Sequence, residues 1–292
     1  MRSSLCVAAA LAAVTYGVPA RACAVCATAD TTLTPERDEQ PFAGRLQATL
    51  DYRQGAVEAG GVSVDDHRVE AAAHFAPSRD VLLTLGVPVL LRDVTTPLEP
   101  EVHAVAPGDV EVRMNRVHVT LGGGGWSQRF GVMVALKLPT APLAYGGAGV
   151  PLSSVLQTGC GSLVPAGGFD YAIGRAAWTG YAGLSVWLPF AVRSGYHAGD
   201  SIRTSLRVQW QPSRTIAVRA GGNLNADTSG AGAGGTTDPD SGGVVGYVAG
   251  EIAASPFGDF VVEVGALYPA LQLLRGDHRE GPVATATLAY DF

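Results

Sequence analysis

Lysine occurs once in this 292-residue chain, at Lys137, and no block of basic residues appears anywhere. With a formal net charge of −6, the chain offers no electrostatic footprint for nucleic acid, which excludes that class of partner. Charge of either sign is scarce, at 16% of residues against 47% hydrophobic. Yet after residue 20 there is no run of about 18 apolar residues, so no helix of the mature chain crosses a membrane. Cysteine is limited to Cys6, Cys23, Cys26 and Cys160, and six histidines are scattered, too few and too dispersed for a four-ligand zinc or iron–sulfur site. Ala27 follows Cys26 where covalent haem attachment requires histidine. No His-x-Ser pair of the barrel-phospholipase kind occurs, and Gly122–Gly125 precedes no helix that could cradle a phosphate. The expectation is a protein without metal, cofactor or enzymatic activity.

What is present in quantity is alternation. In Asp200–Gln211, Ile202, Thr204, Leu206, Val208 and Trp210 share one parity, and Arg203, Ser205, Arg207, Gln209 and Gln211 the other. A period of two means a strand with one apolar and one polar face. Similar stretches recur about a dozen times, starting with Phe42–Gln54 and Val64–Ala76 and ending with Pro282–Phe292. Strand three, Val81–Arg92, is almost uniformly apolar. Strand four begins at Asp109, after a long loop over 93–107, and its apolar parity flips at Val117, which predicts a β-bulge. Short turns follow the even strands and longer loops the odd ones, a sorting that a soluble sandwich has no reason to show. The glycines, 38 in all, have no collagen period and suit loops and curved strands. The predicted fold is all-β: a transmembrane antiparallel up-and-down β-barrel of about twelve strands, in the outer membrane of a Gram-negative cell, with membrane lipid around it.

Residues 1–22 read as a signal peptide, with Arg2, the apolar Leu5–Val18 and an Ala20-Arg21-Ala22 cleavage site. Residues 23–41 show no pattern and read as a flexible or lumen-inserted segment; residues 42–292 form the barrel. Cys23-Ala24-Val25-Cys26 is a candidate local disulfide in an oxidising compartment, with metal binding, lipid attachment and a plug reaching Cys160 as the other readings.

The inward parity collects the candidate channel-lining residues: Arg45, Asp51, Arg53, Arg68, Glu70, His74, Glu111, Arg113, Lys137, Arg203, Arg207, Arg219, Glu251 and Glu263, together with Asp109. Such charges either select solutes in an open channel or neutralise one another and fill a narrow lumen. Asp65-Asp66-His67 reads as a solvated edge of an external loop.

Strand twelve carries Leu288, Tyr290 and the terminal Phe292 on its outer parity, which resembles the signature that barrels present to the outer-membrane assembly machinery. Gly108-Asp109-Val110-Glu111, Val134-Ala135-Leu136-Lys137-Leu138-Pro139-Thr140 and Leu156-Gln157-Thr158-Gly159-Cys160-Gly161-Ser162 resemble recurring segments of the transporters named after the meta-cleavage pathway of phenol degradation. Ala141 stands where that family has glycine, and Cys160 where a small polar residue is usual. The resemblance implies a passive channel or uptake porin for small solutes, hydrophobic or aromatic by the family's name. The alternatives are a non-transporting structural or partner-binding barrel using the Cys23/Cys26 pair and, third, an outer-membrane hydrolase.

Overall fold

The computed structural model describes residues 44–58, 62–78, 80–95, 102–142, 158–191, 198–213, 215–231, 236–237, 241–257, 259–276 and 278–292. Fourteen strands follow one another: β1 (Gly44–Glu58), β2 (Val62–Ser78), β3 (Val81–Thr95), β4 (Val102–Pro107), β5 (Glu111–Leu121), β6 (Trp126–Lys137), β7 (Ser162–Arg175), β8 (Trp178–Trp187), β9 (Phe190–Ala191), β10 (Ser201–Trp210), β11 (Ile216–Asp227), β12 (Gly243–Phe257), β13 (Phe260–Leu274) and β14 (Val283–Asp291). Two pairs of these are single staves interrupted by a break. β4 and β5 both run antiparallel along β3, one on residues 89–94 and the other on 81–86, with Gly108–Val110 between them. β8 and β9 lie end to end along β7 across Leu188-Pro189. The result is twelve staves, every neighbouring pair antiparallel, closed where β1 meets β14 from Arg45↔Asp291 to Arg53↔Val283. Closure leaves no unpaired edge, as a sheet surrounded by hydrocarbon requires.

Alternation along each stave sorts the two faces. In β10, Ser201, Arg203, Arg207 and Gln209 are buried while Ile202, Leu206, Val208 and Trp210 are exposed. Exposed apolar side chains of this kind circle the barrel, among them Leu46, Leu85, Val112, Val134, Ile252 and Val264. Water would not tolerate such a belt; lipid covers it without cost. Aromatic side chains mark its short-turn rim: Phe75, Trp126, Trp178, Trp210, Phe260 and Tyr290 are all exposed, and Trp178 and Trp210 stack at 6.1 Å. Rings with a polar atom favour the boundary between hydrocarbon and water, which accounts for Trp126, Trp178, Trp210 and Tyr290.

Three expectations change. The loop expected over 93–107 is shorter, because β3 runs on to Thr95 and β4 occupies Val102–Pro107. No bulge occurs at Val117: the β5–β6 register is unbroken from Glu111↔Lys137 to Leu121↔Ser127. The apolar parity flips there because the strand runs out past the lipid belt. Arg116 points outward and is 76% exposed, 3.9 Å from Asp80, so both faces are wet at that rim. Register shifts lie elsewhere, for instance between Arg53 and Ala56. Third, β1 reaches Glu58 and β2 starts at Val62, so the first long-end connection is nearly as tight as the short turns.

Candidate functional site

The interior is where the chain places its charge. All fourteen residues expected on the inward parity face it. Twelve are buried to 9% or less, and Arg68 and Glu70 keep only 12% of their side chains exposed. They form separate ion-pair groups rather than one ring. At the seam, Arg45 holds both oxygens of Asp291, one of them at 2.8 Å. Toward the long-loop end, Asp66 receives Arg53 on one side and Arg92 Nε at 2.5 Å on the other, while Arg53 also reaches Glu280 at 3.2 Å. His278 stands 3.3 Å from Glu280. Midway, Arg68 pairs with Glu70 and Arg113 with Glu111. Across β10–β13, Arg207 meets Glu251 at 2.6 Å, and Arg219 bridges Glu251 at 3.6 Å and Glu263 at 3.3 Å. His74 Nδ1 and the Thr84 hydroxyl are 2.9 Å apart. Pairing of this kind is what lets so many ionised groups sit inside a narrow barrel, since an isolated charge there would be strongly disfavoured.

One arc of the inner wall is different. Leu90 of β3, Met133 and Ala135 of β6, Val164 of β7, Trp187 of β8 and Ala198 form a buried apolar cluster, and Cys160 belongs to it. Trp187 is 1% exposed, with Lys137 Nζ 5.5 Å and the Arg203 guanidinium carbon 4.9 Å from its ring centroid. Positive charge over an indole face is attracted by the ring quadrupole, which helps to hold both cations beside Trp187. A cavity of about 480 Å³ lies at residues 204–208 and 220–224 with Tyr247.

The described ends of the connection from β6 to β7, residues 138–142 and 158–161, meet the break between β4 and β5, and Asp109 joins them. Asp109 is 1% exposed; its Oδ1 accepts the Ala141 N–H at 2.9 Å and its Oδ2 the Cys160 N–H at 2.5 Å. The Thr140 hydroxyl accepts the Val110 N–H at 2.9 Å, and Leu138 N–H donates to the Val110 carbonyl at 2.8 Å. Gly159 is required at this point because a side chain there would strike Ala141 and the Asp109 carboxylate. Ala141 is accommodated for the same reason. The three segments that carry the family resemblance therefore converge on one knot, although they are far apart in the chain.

Asp109 is thus buried toward the interior, as expected, but it stands in the break before β5 rather than in a strand and serves as a backbone anchor. Asp65-Asp66-His67 is not a loop-edge cluster either: Asp66 faces the interior, while His67 stacks on Tyr52 at 4.6 Å on the outer face. Asp66 and Arg92 share the parity of their inward neighbours and could have been found by extending it. Trp187 and Glu280 carried no such signal, one lying in an apolar stretch and the other outside the strands. Cys160 is disulfide-bonded. The candidate pair Cys23 and Cys26 lies outside the described residues, as does Cys6. Among the described residues, no group of three or more His, Cys, Asp or Glu is placed to hold a metal ion.

A closed twelve-stave barrel with a charged, ion-paired interior and an apolar outer belt defines the class: a transmembrane β-barrel of the outer-membrane type. Its fold matches that of an outer membrane channel from Pseudomonas putida F1, with a TM-score of 0.66 and 10% identity, covering 89% of this chain and 100% of that one. The transport unit of the autotransporter AIDA-I from Escherichia coli aligns with a TM-score of 0.48 and 11% identity over 89% of this chain and 94% of that one. No family model and no curated protein matches the sequence.

Proposed function

We propose that this protein is a passive outer-membrane channel for small solutes, with Arg45, Asp51, Arg53, Arg68, Glu70, His74, Glu111, Arg113, Lys137, Arg203, Arg207, Arg219, Glu251 and Glu263 lining its path. The observation that carries the reading is the opposition of two walls on the same staves, apolar toward lipid and charged toward the axis. A water-filled path across the membrane requires a polar interior that spans its depth. An outer membrane channel is among the proteins that share its fold over most of its length. Both charge signs occur along the inner wall, so ion selectivity is expected to be weak. The family resemblance points to hydrophobic or aromatic solutes; the apolar arc around Trp187, Leu90 and Met133 is buried and covered, so it is not their binding surface. Leu288, Tyr290 and Phe292, exposed on the outer face at the end of the chain, serve as the assembly signal.

A closed, non-transporting barrel is the second reading, favoured by the near-complete burial of the interior charges. Single-channel recording in a planar bilayer separates the two. Discrete current steps are expected from the channel, and Glu251→Gln combined with Glu263→Gln shifts its reversal potential toward anions. Silence from a barrel shown to be folded by its heat-modifiable gel mobility would defeat the channel reading.

A further inference from the structure

The knot at Asp109 does more than close a connection. We propose that Asp109 is the positioning residue that fixes the bore of the channel, by fastening Thr158–Gly161 against the inner wall as its constriction. The proposal rests on the channel reading above.

Four observations carry it. First, Thr158 and Cys160 are 5% and 0% exposed, and Cys160 packs within a cluster drawn from the inner faces of β3, β6, β7 and β8. The segment therefore lies against the inner wall, with Cys160 packed among side chains of β3, β6, β7 and β8. Second, its attachment is polar and specific. Both Asp109 oxygens are used, one for each end of the same connection. A carboxylate accepting backbone N–H groups makes charge-assisted bonds roughly twice as strong as neutral ones. Third, Asp109 occupies a break in the stave rather than a ladder position. The break is held independently: Gly108 N–H donates to the Pro88 carbonyl at 2.9 Å, and Thr140 ties Val110. Removing the carboxylate thus loosens Thr158–Gly161 without unpairing the barrel. Fourth, Cys160 is disulfide-bonded, so the same node also carries a covalent tie, and the variants are compared after that bond is reduced.

Asp109→Asn is the sharpest variant. It keeps the size of the side chain, but its amide NH2 must face one of the two backbone N–H donors, so one bond becomes a repulsion. Asp109→Ala removes both bonds. The bilayer experiment compares the two variants with the unaltered protein, each first shown to be folded by heat-modifiable mobility. A parallel readout places a cysteine at Thr158 and locates labelling by a membrane-impermeant maleimide through peptide mass spectrometry.

The expected result is a rise in single-channel conductance of about two-fold or more in both variants, because a wider bore passes more ions. Thr158→Cys is expected to be protected with Asp109 present and labelled once Asp109 is replaced. Unchanged conductance together with a protected Thr158→Cys would overturn the assignment. If the unaltered protein were silent, that would count against the channel reading, and labelling would still judge Asp109. Labelling only in the Asp109 variants would uphold the anchor, and protection in both backgrounds would remove it.

Discussion

The inner wall has two arcs of opposite emphasis. From β10 through β14 and β1 to β3 ion pairs lead, with Asp66, Glu251 and Glu263 each set between or beside arginines, next to a small apolar cluster of Val245, Tyr247, Leu267 and Val283. From β6 to β8 apolar packing leads, over a segment brought in from outside the sheet, with the Arg129–Asp170 ion pair at 3.6 Å beside it. The first arc takes its order from the staves themselves, since cross-strand neighbours on one face supply the partners. The second needs a foreign element to cover it, and Asp109 supplies the attachment. A barrel interior therefore needs no single chemistry; it needs every polar group met and every apolar one covered.

Substitutions that attack one arc at a time sharpen this contrast. The largest effect is expected in the apolar arc. Trp187→Ala deletes a side chain that is 1% exposed and opens a cavity, and is expected to cost about 4 kcal/mol in refolding titrations with urea and lipid vesicles. In the charged arc, Asp66→Ala leaves Arg53 and Arg92 without their shared carboxylate. Removing one member of a buried pair is strongly destabilising, but water entering the lumen relieves part of it, so about 2 kcal/mol is expected in the same titration. If Asp66→Ala cost more than Trp187→Ala, the ion pairs rather than the covered arc would dominate the interior. Smallest of all is Arg116→Ala at the wet rim. Its partner Asp80 is 3.9 Å away and both side chains are more than half exposed, so the change is expected to stay under about 0.5 kcal/mol. A larger loss there would mean that the rim is drier than its exposure indicates.

Much of this architecture was legible from parity. The inward placement of Arg45, Arg53, Arg113, Arg207, Arg219 and Glu251 follows from counting by two, because a strand's side chains alternate whatever its neighbours are. The same rule misled at Val117, where alternation ended because the strand left the membrane and not because the backbone bulged. It also misplaced Asp109, whose sequence neighbours suggest a strand although the backbone breaks there to admit the connection.

What the chain alone determined is the number of staves, their facing and the sorting of charge from lipid, because these depend on local alternation and on the spacing of turns. The identity of the ion pairs was decided only by closure: Arg53 meets Glu280, and Arg207 meets Glu251, across more than 40 positions of sequence. So was the meeting of Gly108-Asp109, Pro139–Ala141 and Thr158–Gly161. Three segments that look alike only as motifs become one device when the folded barrel brings two backbone N–H groups to a single buried carboxylate.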